Sequence, residues 1–137
     1  MPHFHWLAIL VAAVIAFLVG ALWYSALFGR MWMDARGVTR EQVQSGGGNM
    51  GRLFGVTFLL DLLMAFMLDH LYATYDVPVI GLHHSVLVAG IVAVGFVIPA
   101  MAVNYLFQQA RMQLFLIDAG HWLAAFLAMG AVFGLLS

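Results

Sequence analysis

Two ionisable residues in the last apolar stretch of the chain have the spacing to act together. Asp118 and His121 are three residues apart, so a helix would place both side chains on one face, where they can interact. A carboxylate beside an imidazole holds and orients the ring, and such a pair can bind a proton, an ion or a small polar ligand. The same pair can also act as a hydrogen-bonded clasp between helices. The sequence leaves both roles open.

Polar residues in the other apolar stretches fall at a similar depth. Counted from the nearest Arg at about 1.5 Å of rise per helical residue, Tyr24 lies roughly 9 Å and Asp118 roughly 10 Å into the membrane. Asp61 and His121 lie roughly 13 and 15 Å deep by the same rise. Ionisable groups at such depth are costly and often mark a functional path. We predict a polar layer that binds a ligand or ion, or locks the helices, formed by Tyr24, Ser25, Asp61, Asn104, Asp118 and His121.

A second set of residues that could bind a ligand or metal consists of histidines near the ends of apolar stretches. Neutral imidazoles are good ligands for zinc, copper or nickel. The adjacent His83 and His84 match no recognised metal motif, however, and histidines also occur singly at membrane surfaces. We therefore predict either surface histidines without a ligand, or a metal or haem site formed by His70, His83 and His84, with His3 and His5 on the same side.

The composition places all of these residues in a membrane protein. Of the 137 residues, 65% are hydrophobic and 8% are charged, whereas roughly 25% of the residues of a soluble domain are charged. The formal net charge of -1 offers no footprint for nucleic acid, and the absence of Cys excludes disulfides and thiolate ligands. The chain contains no GxSxG, HExxH or phosphate-binding glycine motif, so we predict that it is not an enzyme.

Four apolar runs are long enough to cross a bilayer, which takes about 20 helical residues. They cover residues 6–28, 53–72, 86–107 and 114–136, and we call them spans 1 to 4. The central Asp61 costs about 2.5–3.5 kcal/mol on insertion, which the surrounding Leu, Phe and Val residues of span 2 outweigh. Pro99 should kink span 3. The short connections predict an all-α, antiparallel four-helix bundle that forms a single membrane domain.

Small residues on three of the spans indicate faces where helix backbones approach closely. Such residues permit tight helix packing in membranes, within one chain or between chains. They recur at four-residue intervals on spans 1, 3 and 4: Ala8, Ala12, Ala16 and Gly20; Ala89 and Ala93; and Gly130 and Gly134.

Basic residues predict the orientation. The chain has no Lys, and its five Arg residues lie in or beside the loop 29–52 or between spans 3 and 4. By the positive-inside rule both of these loops are cytoplasmic, with both termini outside, in a bacterial inner membrane. Within the first loop, Thr39 and Gln42 have the spacing of a capping box. The glycine-rich segment 45–51 predicts a flexible linker, either a spacer or a mobile gate.

Two blocks of the sequence resemble the DUF1761 membrane proteins. "GALWYSALFGRMW" is similar to the family pattern W-Y-S-P-L-x-F-G-x-x-W, with Ala26 in place of the usual Pro and a shortened Leu-Phe step. "NYLFQQARMQLFLIDAGHWLAAFLAMGAVFG" resembles the second block of the family. The resemblance implies a four-helix layout and carries no activity, because the function of the family is unknown. The matching residues are Trp23, Tyr24, Ser25, Phe28, Gly29, Trp32, Asn104, Arg111, Gly120 and His121.

These features lead to three hypotheses of function. The first is a small inner-membrane protein with a polar ligand- or ion-binding layer in the cytoplasmic half of the bilayer, as a component of a transporter or channel. The second is a structural or assembly subunit of a homo-oligomer or a larger membrane complex, in which the polar layer serves packing alone. The third is a metal or haem binder at the outer face.

Overall fold

The computed structural model describes residues 5–39, 41–42, 50–74 and 81–136. His3 and most of the predicted glycine-rich linker lie outside these residues. In the first loop, the Thr39 backbone N–H donates to the Gln42 side-chain oxygen at 2.8 Å, and the Gln42 N–H donates to the Thr39 hydroxyl at 3.2 Å. The predicted capping box is therefore confirmed.

The described residues contain four helices that are long and apolar enough to cross a membrane. They cover Trp6–Leu27, Gly51–Ala73, Leu82–Phe107 and Met112–Leu136, and they are spans 1 to 4 from here on. A short helix, Gly29–Arg36, follows span 1, and we call it the loop helix. No strand occurs in the parts of the chain that the structure describes. The all-α class and the four spans are confirmed, with span 3 beginning earlier than predicted.

Large apolar side chains cover the surface, and small ones fill the contacts between helices. Phe107 is 87% exposed and Leu106 is 76% exposed, as suits side chains that face lipid. The predicted small face of span 1 is buried at Ala8, Ala12 and Ala16. Lipid tails are as apolar as these side chains, so close van der Waals packing of small residues holds the helices together.

Span 1 packs against spans 2 and 4, and span 4 packs in turn against span 3. The glycines of span 4 lie directly on span 3, because a Cβ added to Gly130 would lie 2.8 Å from the Ala89 Cβ. A Cβ on Gly134 would lie 2.7 Å from the Leu82 Cα. The predicted small-residue faces of spans 3 and 4 therefore meet within one chain.

The helices hold span 2 firmly at one end. At that end, the Tyr72 hydroxyl donates to the Ser85 carbonyl of span 3, and its ring lies 5.4 Å from that of Phe133 of span 4. The first half of span 2 is different, since Leu53 and Phe54 are about half exposed and Leu59 is 63% exposed. Span 2 is thus packed at its end and open at its start.

A π-helical turn interrupts span 3. In such a turn a backbone N–H bonds to the carbonyl five residues back, which inserts one extra residue into the helix. The turn covers Ala93–Val97 and comes just before Pro99. Because the proline ring would collide with the carbonyl four residues earlier, the wider turn lets the helix continue. The disturbance predicted at Pro99 takes this form, and it shifts every later residue of span 3 by one helical position.

We expect Gly130→Ala to destabilise the protein. The new Cβ would lie 2.8 Å from both the Ala89 Cβ and the Ser85 carbonyl oxygen, and such overpacking costs about 1–3 kcal/mol. This exceeds the gain of about 1 kcal/mol in helix propensity from Gly to Ala. Gly55→Ala is the matched control, because no atom lies within 4 Å of its new Cβ. Unfolding midpoints in detergent should fall for the first variant alone; equal midpoints would contradict the close packing of spans 3 and 4.

Candidate functional site

The last turn of span 1 presents two aromatic residues to span 4. Trp23–Leu27 forms a second π-helical turn, which ends where Phe28 leaves helical geometry at φ -127° and ψ 12°. The loop helix then begins at Gly29, where a Cβ would lie 2.8 Å from the Tyr24 carbonyl oxygen. Glycine is therefore required for the chain to fold back closely after the turn.

Trp23 fixes span 1 on span 4. Its indole Nε1 donates to the Ile117 carbonyl oxygen at 2.9 Å. Its ring lies so close to Gly120 that a Cβ there would be 2.9 Å from the ring atom Cζ2. The absence of a side chain at Gly120 thus makes room for the indole, and the hydrogen bond satisfies the polar end of the ring.

Tyr24, which follows Trp23, forms a hydrogen bond with Asp118, which follows Ile117. Its hydroxyl donates to Asp118 Oδ1 at 2.6 Å, and the Tyr105 hydroxyl of span 3 donates to Asp118 Oδ2. Asp118 is 8% exposed, so these bonds replace the water that its carboxylate loses on burial. We call Tyr24, Tyr105 and Asp118 the tyrosine clasp; it joins spans 1, 3 and 4.

The clasp corrects the predicted pairing of Asp118 with His121. Both oxygens of Asp118 are used by the two tyrosines, and no hydrogen bond joins the carboxylate to His121. His121 is 8% exposed, and its Nδ1 is buried without a hydrogen-bond partner among the described residues. The imidazole lies 5.0 Å from the Tyr24 ring and 4.7 Å from the Trp122 ring, centre to centre. Aromatic rings therefore lie against the imidazole where a carboxylate was predicted.

A cavity of about 650 Å³ opens beside His121, between spans 1, 2 and 4. We call it the side cavity. It exists because the first half of span 2 packs on span 1 while standing away from the other spans. Its walls are mostly apolar, with a few polar groups, which is typical of a ligand site. The residues that line it are Ala16, Phe17, Gly20, Ala21, Tyr24, Ser25, Leu53, Phe54, Thr57, Asp61, His121 and Trp122.

Asp61 lies on the wall of the side cavity that span 2 contributes. Its side chain is 4% exposed, yet it forms no hydrogen bond or ion pair with any residue that the structure describes. The neighbouring hydroxyls are turned to their own helices, since Ser25 donates to the Ala21 carbonyl at 2.5 Å and Thr57 to the Leu53 carbonyl at 2.7 Å. Among the described residues that line the cavity, Asp61 and His121 are therefore the ionisable groups that form no hydrogen bond.

The structure thus gathers five of the six residues predicted for the polar layer. Tyr24, Ser25, Asp61 and His121 line the side cavity, and Asp118 lies behind Tyr24 in the clasp. The sixth, Asn104, is exposed and is not among the residues that line the side cavity. Its neighbour Tyr105, which the sequence reasoning missed, takes the expected place on span 3. The signal was Pro99, because the π turn before it moves residue 105 to the position that a regular helix gives to residue 104.

The loop helix packs beneath the clasp. Arg111 Nη1 donates to the Asp34 carbonyl oxygen at 3.1 Å, which ties the start of span 4 to the loop helix. Trp32 lies edge-on to Tyr24 at 5.9 Å between ring centres, and the Arg36 guanidinium carbon lies 5.0 Å from the centre of the Trp32 ring. Cation–π and aromatic contacts therefore support Tyr24 on the side where the loop helix lies.

The predicted outer histidines His70, His83 and His84 are exposed at the other end of the spans. His70, His83 and His84 do not converge, since the described residues include no group of three or more His, Cys, Asp or Glu placed to hold a metal ion. His5 has a structural role there instead. Its backbone N–H and ring Nδ1 contact the two Asp69 oxygens at 3.3 and 3.0 Å, and this pair joins spans 1 and 2.

We expect Asp118→Leu to destabilise the protein and Asp61→Leu to leave its stability unchanged or raised. Asp118→Leu strands two tyrosine hydroxyls, and hydrogen bonds between membrane helices average about 0.6 and reach about 1.7 kcal/mol. The expected loss is about 1–3 kcal/mol by the same values. Asp61→Leu removes no hydrogen bond to a described residue.

Unfolding free energies in detergent measure both variants, and Asp118→Asn should be milder than Asp118→Leu because it keeps the shape and most of the bonding capacity. A loss at Asp61 as large as that at Asp118 would contradict the separation of a structural acid from an unsatisfied one.

Comparison with known proteins identifies the family of this chain. No curated protein matches this chain. No solved structure matches it either. The family model described as "Protein of unknown function (DUF1761)" matches residues 7–134, nearly the whole chain, and so includes both the Trp23–Tyr24 turn and the Asp118–His121 region that meet at the site. The chain belongs to the DUF1761 family.

Proposed function

We propose that this protein binds a small ligand in the side cavity and serves as a component of a transporter or channel in the bacterial inner membrane. In this proposal the four spans form an antiparallel bundle with both termini outside. The side cavity then lies in the cytoplasmic half of the bilayer. The five Arg residues support this orientation, because all of them lie in or beside the two loops that it places in the cytoplasm.

The observation that carries the proposal is the unpartnered His121 on the wall of the side cavity. A buried ring nitrogen without a hydrogen bond costs about 1–3 kcal/mol, and Nδ1 of His121 is such an atom. The cavity volume of about 650 Å³ falls within the range of roughly 300–1,000 Å³ that is usual for ligand pockets. An unsatisfied ionisable group beside a pocket of this size is expected where a ligand completes the site.

We propose binding rather than catalysis because the cavity lacks an activated nucleophile. The Ser25 hydroxyl donates to the carbonyl of its own helix, and neither it nor Thr57 is bonded to His121. An activated serine would instead share a hydrogen bond with the imidazole.

A structural or assembly role is the second candidate, and the tyrosine clasp favours it. Asp118 is fully engaged in joining spans 1, 3 and 4, as a residue that serves packing would be. Packing does not account for Asp61 and His121, which have no hydrogen bond to any described residue and line the same cavity. The two roles can therefore coexist in one layer, with the clasp holding the helices and the cavity binding the ligand.

We expect single-cysteine labelling to place span 3 with its start outside. The natural chain has no Cys, so each introduced thiol reports on one position. His83→Cys should react with a membrane-impermeant maleimide in intact spheroplasts, and Gln108→Cys should react only after the membrane is opened; both residues are exposed. The reverse pattern would overturn the proposed orientation.

We expect the side cavity to admit water and small polar reagents. Thiolates react with methanethiosulfonates and need hydration to form, so a thiol in a hydrated cavity reacts much faster than one that faces lipid. Thr57→Cys on the cavity wall should react at least tenfold faster than Leu59→Cys, which is 63% exposed on the same helix outside the cavity lining. The measurement is the modification rate in proteoliposomes, and equal rates would count against a hydrated ligand site.

A further inference from the structure

We infer that the ligand of the side cavity is a lipophilic organic cation, with the Asp61 carboxylate as its counter-charge. This inference rests on the proposed ligand-binding function and adds the chemical class of the ligand.

The three acids buried in the spans differ in what surrounds them. Asp69, 2% exposed, is held by the backbone and ring of His5, and Asp118 is held by two tyrosine hydroxyls. Asp61 is buried to a similar degree without a partner among the described residues. A carboxylate taken out of water is costly unless it is paired or hydrogen-bonded. The fold supplies hydrogen bonds to Asp69 and Asp118, so the Asp61 carboxylate is available to pair with a bound group.

The charge of the cavity wall selects a cation. None of the residues that line the side cavity is Lys or Arg, and its ionisable residues are Tyr24, Asp61 and His121. Arg52 is nine residues from Asp61 along the same helix, a distance of roughly 13 Å. An anion would therefore meet the Asp61 carboxylate with no Lys or Arg among the described residues that line the cavity, whereas a cation would supply the opposite charge that this carboxylate lacks.

The apolar and aromatic lining selects an organic cation over a metal ion. Phe17, Phe54 and Trp122 line the cavity together with Tyr24, and the rings of Phe17 and Phe54 lie 6.1 Å apart, edge to face. Aromatic faces attract cations, most strongly where the bound cation displaces water. Calcium, in contrast, takes about 6–8 oxygen ligands, more than the Asp61 carboxylate and the hydroxyls of Tyr24, Ser25 and Thr57 provide.

The test compares three probes of similar shape and different charge on the full chain in detergent, with protein-free micelles as the blank. Tetraphenylphosphonium is the cation, triphenylphosphine oxide the neutral probe and tetraphenylborate the anion. We expect saturable binding of the cation at one site per chain, weaker binding of the neutral probe, and no saturable binding of the anion. Asp61→Asn should weaken cation binding at least tenfold and leave the affinity for the neutral probe unchanged, which also shows that the variant is folded.

Asp69→Asn is the matched control, because it removes the charge of a buried acid on the same helix outside the cavity, and it should bind the cation as the natural chain does. Cation affinity that is no higher than that of the neutral probe, or that survives Asp61→Asn, would overturn the cation inference and leave ligand binding in place. If no probe binds saturably and the Thr57→Cys thiol reacts no faster than the Leu59→Cys thiol, the proposed function falls as well.

Discussion

The arrangement of the site depends on one carboxylate that accepts a hydrogen bond on each oxygen. Asp118 of span 4 is bonded by Tyr24 of span 1 and by Tyr105 of span 3. In the interior of a membrane no bulk water can replace these bonds, so three helices are held in one register around a single group. Both oxygens accept from tyrosines, and among the described residues no hydrogen bond joins a carboxylate to His121 one turn further along, so its ring is left at the side cavity.

Span 2 lies outside this clasp, and the side cavity is the consequence. At one end it is joined to span 1 by Asp69 and His5 and to span 3 by Tyr72 and Ser85. At the other end it contacts span 1 through the rings of Phe54 and Phe58 on Phe17. The helices therefore close together where span 2 ends and stand apart where it begins, and the open part is the place where Asp61 lies.

The sequence predicts the spans well, because crossing a bilayer imposes a length and a composition that few other segments meet. It also predicts the faces of small residues, since backbones can approach closely only there. Hydrogen-bond partners within the polar layer are harder to predict from the sequence. Depth alone suggests Asn104 as readily as Tyr105, and the extra residue in the π turn before Pro99 decides between them.

The predicted pairing of Asp118 with His121 is wrong for a related reason. Spacing along one helix shows that two groups can meet, but it does not show which groups on other helices compete for the same oxygens. Here the competitors are two tyrosines, one of which reaches Asp118 from the π turn Trp23–Leu27. The π turn Trp23–Leu27 contains no proline, and neither hydropathy nor residue spacing reveals it.

The two sequence blocks that resemble the family meet in space, and glycines make that meeting close. Gly120 gives room to the Trp23 indole, and Gly20 lies so near the His121 ring that a Cβ there would be 3.1 Å from Nε2. Residues that serve packing alone would be expected to satisfy the groups they bring together. Here the clasp is satisfied, while His121 and Asp61 form no hydrogen bond with any residue that the structure describes. A fold tolerates such unsatisfied groups when the surrounding contacts are strong enough to hold them and when their function requires it. The tyrosine clasp provides that support. The hydrogen bonds of Asp118 stabilise the helices enough to offset the cost of burying Asp61 and His121 for a ligand.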